Sequence, residues 1–261
     1  MNPKAFRPGP PLADRPLDIG ARSDRYNIYV GDDQRVALYE AFKTRAMQRG
    51  LASDIQLGGE RFDRTGWAAF LARSKATIAT EAGSDFLDRD DQLSAEVTAL
   101  LRERKRGLVI KHESPARRLS RKLLPRSARH WIAHRLAGVM VEDVHLHASV
   151  DADVIDAVRT QVFRPERRAP HPTKVISSRH FDAVACKTLQ ILTPGRYNDM
   201  LRPGRHFIEL DQLFSNLDDV LDQCRDMAFC QRMVDEAYDD LMSSHTYTHR
   251  MADLEQTLKA L

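Results

Sequence analysis

The residues best suited to chemistry lie between Ser177 and Asp199, in the stretch SSRHFDAVACKTLQILTPGRYND. Ser178 and Arg179 stand where a predicted strand leads into a short predicted helix. The first turn of a helix presents unpaired N–H groups with partial positive charge, and the arginine fork suits phosphate oxygens. Asp182, one turn further on, could accept hydrogen bonds from sugar hydroxyls. The pattern predicts a phosphate-binding crevice, but an ordinary strand, helix and strand with a solvated arginine and aspartate fits the same residues.

Two further positions in this stretch bear on the crevice. The Pro194-Gly195 turn follows the apolar run LQILT, and Gly195 has no Cβ, so its backbone could approach a ligand closely. His180, beside Arg179, is the candidate acid or base if its ring faces the crevice.

Short β-type runs alternate with helical segments around these residues. The runs YNIYV (26–30), SDIQL (53–57) and ATIAT (76–80) are separated by segments with apolar residues at helical spacing. Later runs at 175–176, 189–193 and 206–210 are followed by predicted helices at 229–243 and 247–258. This order predicts an α/β fold, a doubly wound parallel sheet of Rossmann-like type with C-terminal helices. Such sheets bind ligands at the carboxyl ends of their strands.

The domain organisation follows from composition. Residues 1–24 contain PGPP and show no periodicity, which predicts an N-terminal tail, and residues 25–261 are then the folded domain. The chain is 42% hydrophobic, enough for a core, and no apolar run approaches the roughly 18 residues of a membrane span. The N-terminus lacks the apolar core of a secretory signal, and the three cysteines have no CxxC spacing. We therefore expect a cytoplasmic protein with reduced thiols.

Charge is distributed unevenly along the chain. The segment 102–135 carries twelve Lys or Arg residues and two Glu residues, a formal charge of +10, whereas the whole chain carries +3. The segment could bind nucleic acid, an anionic membrane surface or an acidic partner. It could equally be an amphipathic helix with a solvated charged face. The candidate anion-binding residues are Arg117, Arg118, Arg121 and Lys122.

A metal site is not expected. His145 and His147 are two residues apart, so on a strand both imidazoles would lie on one face, as two metal ligands would. No third or fourth ligand is identifiable, so a polar strand or loop accounts for the two histidines.

The final third of the chain resembles a known family. RHFDAVACKTLQILTPGRYNDMLRPGRHFIEL followed by FSNLDDVL is similar to the C-terminal domain of GT-B glycosyltransferases, in the CgeB-like branch of the glycosyl transferase group 1 proteins. That branch has a pattern like R-H-F-E-A-x-A-x-x-T-x-Q-I-L-x-x-G-x-Y, then F-S-N-x-D-E-V. The match is dense from Ile176 to about Val220, and AYDDLMSSHTYTHRM fits the family's usual ending. Weaker similarity extends it from Pro16 to Leu261, with 102–172 poorly matched and a possible insertion.

The resemblance implies a nucleotide-sugar donor site without a metal cofactor. Arg179 would contact the diphosphate, and Asp182 would hold the ribose hydroxyls where the family usually has the longer Glu. A second Glu of many group 1 enzymes is replaced here by Lys174. The other positions implied to line the site are Gly195, Tyr197 and Asn198 on the donor loop, and Glu81, Gly83 and Ser84 on a neighbouring loop of the same crevice. Ser178 stays a phosphate-binding candidate at the start of the predicted helix.

Two functions are compatible with these features. The first is a glycosyltransferase-like domain that binds a nucleotide-diphosphate sugar and transfers the glycosyl group with the help of an acceptor domain, which the short segment before Tyr26 is not expected to supply. The second is a non-catalytic interaction module that uses the basic segment 102–135. The departures at Asp182 and Lys174 favour the second, and the dense motif match favours the first.

Overall fold

The computed structural model describes residues 4–24, 26, 28–59, 61–104, 109–110, 140–141, 152–171 and 173–260. The chain forms two compact units. The first unit contains residues 1–25, 33–83 and 174–261, and the second contains 26–32 and 84–173. The candidate residues Arg117, Arg118, Arg121 and Lys122 lie outside the described residues, as do His145 and His147.

The first unit is built on a five-stranded, all-parallel sheet. The strands of the described residues are β1 (Leu17–Ser23), β2 (Ser53–Leu57), β3 (Ser74–Ala79), β4 (Val109–Ile110), β5 (Met140–Val141), β6 (Leu189–Leu192) and β7 (Ile208–Glu209). The sheet of the first unit has the order β2-β1-β3-β6-β7, and β1 pairs Ile19 with Ser53 on one side and with Ala76 on the other. β4 and β5 form a separate parallel pair. The α/β class with a parallel Rossmann-like sheet is therefore confirmed.

The helices flank this sheet. The described residues contain α1 (Gln34–Gln48), α2 (Arg64–Ala72), α3 (Gln92–Arg104), α4 (Ala152–Gln161), α5 (Ser178–Ala185), α6 (Leu217–Gln223), α7 (Met227–Ser244) and α8 (Tyr247–Lys259). α1 buries Leu38, Phe42 and Ala46, one residue per turn, in the same cluster as Ile19 and Ile191 of the sheet. Among the described residues, no helix is long and apolar enough to cross a bilayer.

The first strand is not where the sequence pattern places it. β1 occupies residues 17–23, so the prediction of a tail there is wrong, and the predicted strand 26–30 contains a 3-10 helix at Ile28–Val30. β1 is a central strand, yet Asp18, Gly20 and Arg22 interrupt its apolar residues, so it shows no apolar run. Gly20 is required because a Cβ there would lie 2.1 Å from Oγ of Ser74.

Other boundaries need smaller corrections. Val175, predicted to begin a strand, makes only an isolated antiparallel bridge with Ala82. The sequence Ser215-x-x-Asp218 has the form of a helix capping box, but it does not cap α6. Instead, the Asp211 carboxylate accepts hydrogen bonds from the backbone N–H groups of Ser215 and Asn216 just before that helix.

The second unit has its own small core. α3 and α4 bring Val97, Leu101 and Val158 together in one buried cluster. Outside this cluster, Arg167 holds Glu96 with two hydrogen bonds of 2.5 and 2.8 Å, the bidentate geometry of an arginine–carboxylate pair.

A buried arginine fastens the N-terminal segment to the sheet. Arg15 is 3% exposed, and its guanidinium donates to the carbonyls of Pro10 (2.9 Å), Ser74 (2.9 Å) and Cys186 (3.0 Å). Burial lowers the pKa of Arg15 to about 10, so the group stays charged at neutral pH. Because carbonyl oxygens satisfy its donors, the residue connects the chain before β1 to the start of β3 and the end of α5.

Replacing this arginine tests its structural role. Arg15→Met should lower the free energy of unfolding by about 3 kcal/mol, because several buried carbonyls lose their donor. Urea unfolding followed by circular dichroism measures the change. Arg89→Met, at a side chain that is 91% exposed, is the matched control and should shift the midpoint little. Equal effects of the two substitutions would contradict the assignment.

Candidate functional site

A cleft of about 870 Å³ opens in the first unit where β1 and β2 end. Ser23 and Asp24 follow β1 on its wall, and Gly58 and Gly59 follow β2. The two glycines have φ of 79° and 94°, a left-handed turn that other residues rarely adopt. The N–H of Gly58 donates to the carbonyl of Ser23 at 2.7 Å, which ties the two strand ends together. The cleft therefore lies at the carboxyl edge of a parallel sheet, where α/β proteins bind ligands.

Arginines dominate the charged lining of this cleft. The five are Arg22, Arg61, Arg64, Arg179 and Arg250. Arg22 pairs with Asp54 at 2.5 Å and lies 4.9 Å from the ring centre of Phe70, and Arg61 pairs with Asp24 at 2.6 Å. These two charges are already matched by carboxylates within the protein.

Arg64 and Arg179 differ from the other cleft arginines because neither forms an ion pair through the described residues. One nitrogen of Arg179 donates to the carbonyl of Arg22 (2.9 Å) and to Oγ of Ser23 (3.0 Å). This anchor fixes the guanidinium at the end of β1. Its remaining donors make no hydrogen bond to the described residues, and Arg64 begins α2 on the cleft wall. The two charges are available to an anion.

Asp182 lines the cleft and is held by an aromatic neighbour. Oδ2 of Asp182 accepts a hydrogen bond from the indole N–H of Trp67 at 3.3 Å. Burial raises the pKa of Asp182, while the indole N–H, Arg179 and Arg64 oppose the increase. Asp182, Arg179 and Arg64 all line the same cleft. Ser178, at the start of α5, also lines the cleft.

His180 does not face the cleft, so that expectation is wrong. A helix turns about 100° per residue, so neighbouring side chains point in different directions. Arg179 and Asp182 lie on the cleft side of α5, whereas His180 is 0% exposed and packs edge-on against Tyr197 at 5.1 Å. Its Nδ1 lies 2.9 Å from Oε1 of Gln190, and burial lowers the pKa of His180 to about 4. The imidazole is a neutral core residue at physiological pH.

The predicted donor-loop residues form a second group, which supports a turn rather than lining the cleft. Glu81 is buried and accepts the backbone N–H of Tyr197 at 2.7 Å. The hydroxyl of Tyr197 is buried too and donates to the carbonyl of Thr193. Asn198 accepts the N–H of Ile176 at 2.8 Å. Tyr197 and Asn198 have φ of 45° and 53°, so these contacts hold a backbone shape that is costly for residues other than glycine.

Gly195 also has a different role from the predicted one. A Cβ at this position would lie 2.5 Å from Oε2 of Glu81, so the close approach that it permits is to this carboxylate. Gly83 has φ of 118° in the loop after β3. Ser84 belongs to the second unit, where its hydroxyl donates to the carbonyl of Val30 at 2.5 Å.

The sequence patterns miss Arg22, Arg64 and Trp67. Asp63 precedes an apolar helical segment and is therefore a candidate helix cap from the sequence, and it does cap α2 by accepting the N–H of Gly66 at 2.7 Å. An arginine directly after such a cap lies in the first helical turn, a signal that could have identified Arg64. Among the described residues, no group of three or more His, Cys, Asp and Glu side chains is arranged to hold a metal ion.

Stability should depend on pH through His180. Its folded pKa of about 4 is below the ordinary 6.5, so the unfolded chain binds the proton more readily between these values. The contribution is fully present above pH 6.5 and is lost as the pH falls toward 4, by up to about 1.4 kcal/mol per pH unit. Urea unfolding at several pH values tests this. A His180→Asn variant should lack that part of the slope, and an unchanged slope would exclude the assignment.

A glycine substitution tests the turn around Glu81. Gly195→Ala should lower the free energy of unfolding by about 1–3 kcal/mol, because the new methyl displaces the carboxylate. Glu81→Ala removes the clashing group, so adding Gly195→Ala to that variant should cost much less than it does in the parent. Thermal unfolding of the four proteins measures this coupling. Fully additive effects would show that the glycine is not required by Glu81.

Part of the chain is similar in sequence to a known protein family. Residues 144–256 match a family model described as glycosyl transferase-like. No curated protein sequence matches the chain. Among solved structures, the C-terminal domain of a glycosyl transferase group 1 family protein (LpcC) from Francisella tularensis aligns over 95% of this chain and 99% of its own. It has 11% sequence identity and a TM-score of 0.37.

The family match covers only one side of the cleft. Ser178, Arg179 and Asp182 lie within the matched residues, whereas Arg64 and Trp67 lie before them. The CgeB-like subtype stays a prediction. The resemblance to the glycosyl transferases is confirmed for residues 144–256.

Proposed function

We propose that the first unit binds the nucleoside diphosphate part of a nucleotide sugar in the cleft, and serves glycosyl transfer. The observation that carries this proposal is that the cleft brings Arg64 and Arg179, which form no ion pair through the described residues, together with the partly buried carboxylate of Asp182. The glycosyl transferase-like sequence of residues 144–256 supports the sugar-transfer class.

The charges match a diphosphate. Its anionic oxygens need donors that are not already used, and Arg64 and Arg179 provide them. α5 begins beside Arg179, and its N-cap residue Ser177 makes no side-chain hydrogen bond to the first turn. The N–H groups of that turn and the partial positive charge of the helix add to the attraction for an anion. The charge of Arg22 is already matched by Asp54, so this arginine is not counted among the groups that would bind the diphosphate.

The rest of the cleft suits the nucleoside. A carboxylate is a good acceptor for the two hydroxyls of a ribose, and Asp182 has an oxygen that accepts no hydrogen bond from the described residues. Phe62 is 44% exposed on the same wall, an apolar surface of the kind on which a base stacks. A cavity of about 870 Å³ falls within the range of small-molecule sites.

The same groups would assist the chemistry. In glycosyl transfer an acceptor oxygen attacks the anomeric carbon, the bond from that carbon to the β-phosphate oxygen breaks, and negative charge develops on the diphosphate. Arg64 and Arg179 would stabilise that leaving charge, as fixed donors do when charge develops in a transition state. The acceptor and the base that takes its proton would come from another domain, which is a proposed partner.

Binding of nucleoside diphosphates tests the proposal. UDP, GDP, ADP or dTDP at millimolar concentration should raise the melting temperature, since a ligand that binds the folded state stabilises it. Arg179→Ala and Arg64→Ala should each weaken the binding about tenfold or more, measured by titration calorimetry, because each removes a charge-assisted contact. Arg196→Ala is the matched control, since this arginine is exposed and does not line the cleft.

The outcomes separate the two functions considered from the sequence. No stabilisation by any of the four nucleotides, or equal binding by Arg179→Ala and the parent, would refute the site. Binding of polyanions that weakens steeply with salt and is lost on charge reversal of Arg117, Arg118, Arg121 and Lys122 would support the interaction module instead.

A further inference from the structure

Trp67 contacts the cleft in a way that neither the family match nor the sequence motifs assign. It is the fourth residue of α2, and its ring stacks on that of Phe70 with centres 5.7 Å apart and an angle of 20°. This stacking on the same helix fixes the direction of the indole N–H. The N–H points at Asp182 of α5, so the bond joins two helices across the cleft wall.

This hydrogen bond leaves the two carboxylate oxygens of Asp182 in different states. Oδ2 of Asp182 is occupied by the indole, whereas Oδ1 accepts no hydrogen bond from any described residue. An aspartate without such a contact would rotate about its side-chain bonds and present either oxygen. Holding one oxygen removes that freedom, which lowers the entropic cost when a ligand hydroxyl binds the other.

We propose that Trp67 is a positioning residue that orients Asp182 toward the ribose hydroxyls of the bound nucleotide. This inference rests on the proposed function and extends it, because it makes ribose recognition depend on a residue outside the family match. The indole takes no part in contacting the diphosphate. Its effect should therefore appear only with ligands that carry the hydroxyls.

The substitution Trp67→Phe tests the indole N–H separately from the aromatic ring. Phenylalanine keeps an aromatic surface against Phe70 but has no donor for Asp182. The dissociation constant of a nucleoside diphosphate should rise about tenfold, because the ligand must then order an Asp182 side chain that the indole no longer holds. That of its 2′,3′-dideoxy analogue should stay within about twofold. Tyr238→Phe, an aromatic change in the first unit away from the cleft, should alter neither.

A double-mutant cycle with Asp182→Ala makes the test specific, because alanine leaves no acceptor for the indole N–H. If Trp67 acts through Asp182, then Trp67→Phe should change the affinity by less than about twofold in the Asp182→Ala protein. A loss of the same size in both backgrounds, or one that is equal for the dideoxy analogue, would mean that Trp67 acts through packing alone and would overturn the inference.

The failure of this inference is distinct from the failure of the proposed function. If the parent binds nucleoside diphosphates and loses affinity in Arg179→Ala, but Trp67→Phe binds as well as the parent, then only the positioning role fails. If the parent binds neither the nucleotides nor their dideoxy analogues, the proposed function fails and the positioning role fails with it.

Discussion

The candidate site depends on the two hydrogen bonds that connect Arg179 to the end of β1. The carbonyl of Arg22 and the hydroxyl of Ser23 hold one guanidinium nitrogen, so that α5 and a central strand of the sheet form one frame. With that nitrogen fixed, the other donors of Arg179 face a cleft whose floor is the carboxyl edge of the sheet. Asp182, one turn further along α5, is thereby brought to the same wall.

α5 illustrates how one helix can serve two environments. Its eight residues place Arg179 and Asp182 toward the cleft and His180 and Val184 toward the core. On the core side, His180 packs against Tyr197, and the backbone N–H of Tyr197 donates to Glu81. These contacts stabilise a turn with left-handed backbone angles. The strain in that turn is offset by buried hydrogen bonds, so the loop next to the cleft keeps a fixed shape. The core side therefore supports the loop through hydrogen bonds, and His180 is too deeply buried there to exchange protons with the cleft.

Much of the architecture follows from local sequence signals, and the exceptions have physical causes. β2 and β6 were predictable because they are short β-type runs next to turn residues, and α5 was predictable from its position between two such runs. β1 was not predictable, because it contains the charged residues Asp18 and Arg22. In the structure their side chains pair with Lys75 and Asp54, which lie on the neighbouring strands β3 and β2. A single sequence carries no signal for such long-range partners.

Only some of the residues of the candidate site could be identified from the sequence. Arg179 and Asp182 could be identified because an arginine and a carboxylate in the first turns of a helix have known ligand-binding chemistry, although the strand expected before that helix is only an isolated bridge. Arg64 and Trp67 could not be connected with them, because more than a hundred residues separate the two segments and only the packing of α2 beside α5 brings them together. Gly195 and Tyr197 were expected to line the donor loop, but neither lines the cleft, and both belong to a turn that is held by Glu81.

The most direct measurement of the central claim is a crystal structure of the chain with a nucleoside diphosphate bound. We expect the two phosphates between the guanidinium groups of Arg64 and Arg179, within hydrogen-bond distance of both, and the ribose hydroxyls at Oδ1 of Asp182. A nucleotide bound elsewhere on the protein, with the donors of Arg64 and Arg179 left free, would contradict the account.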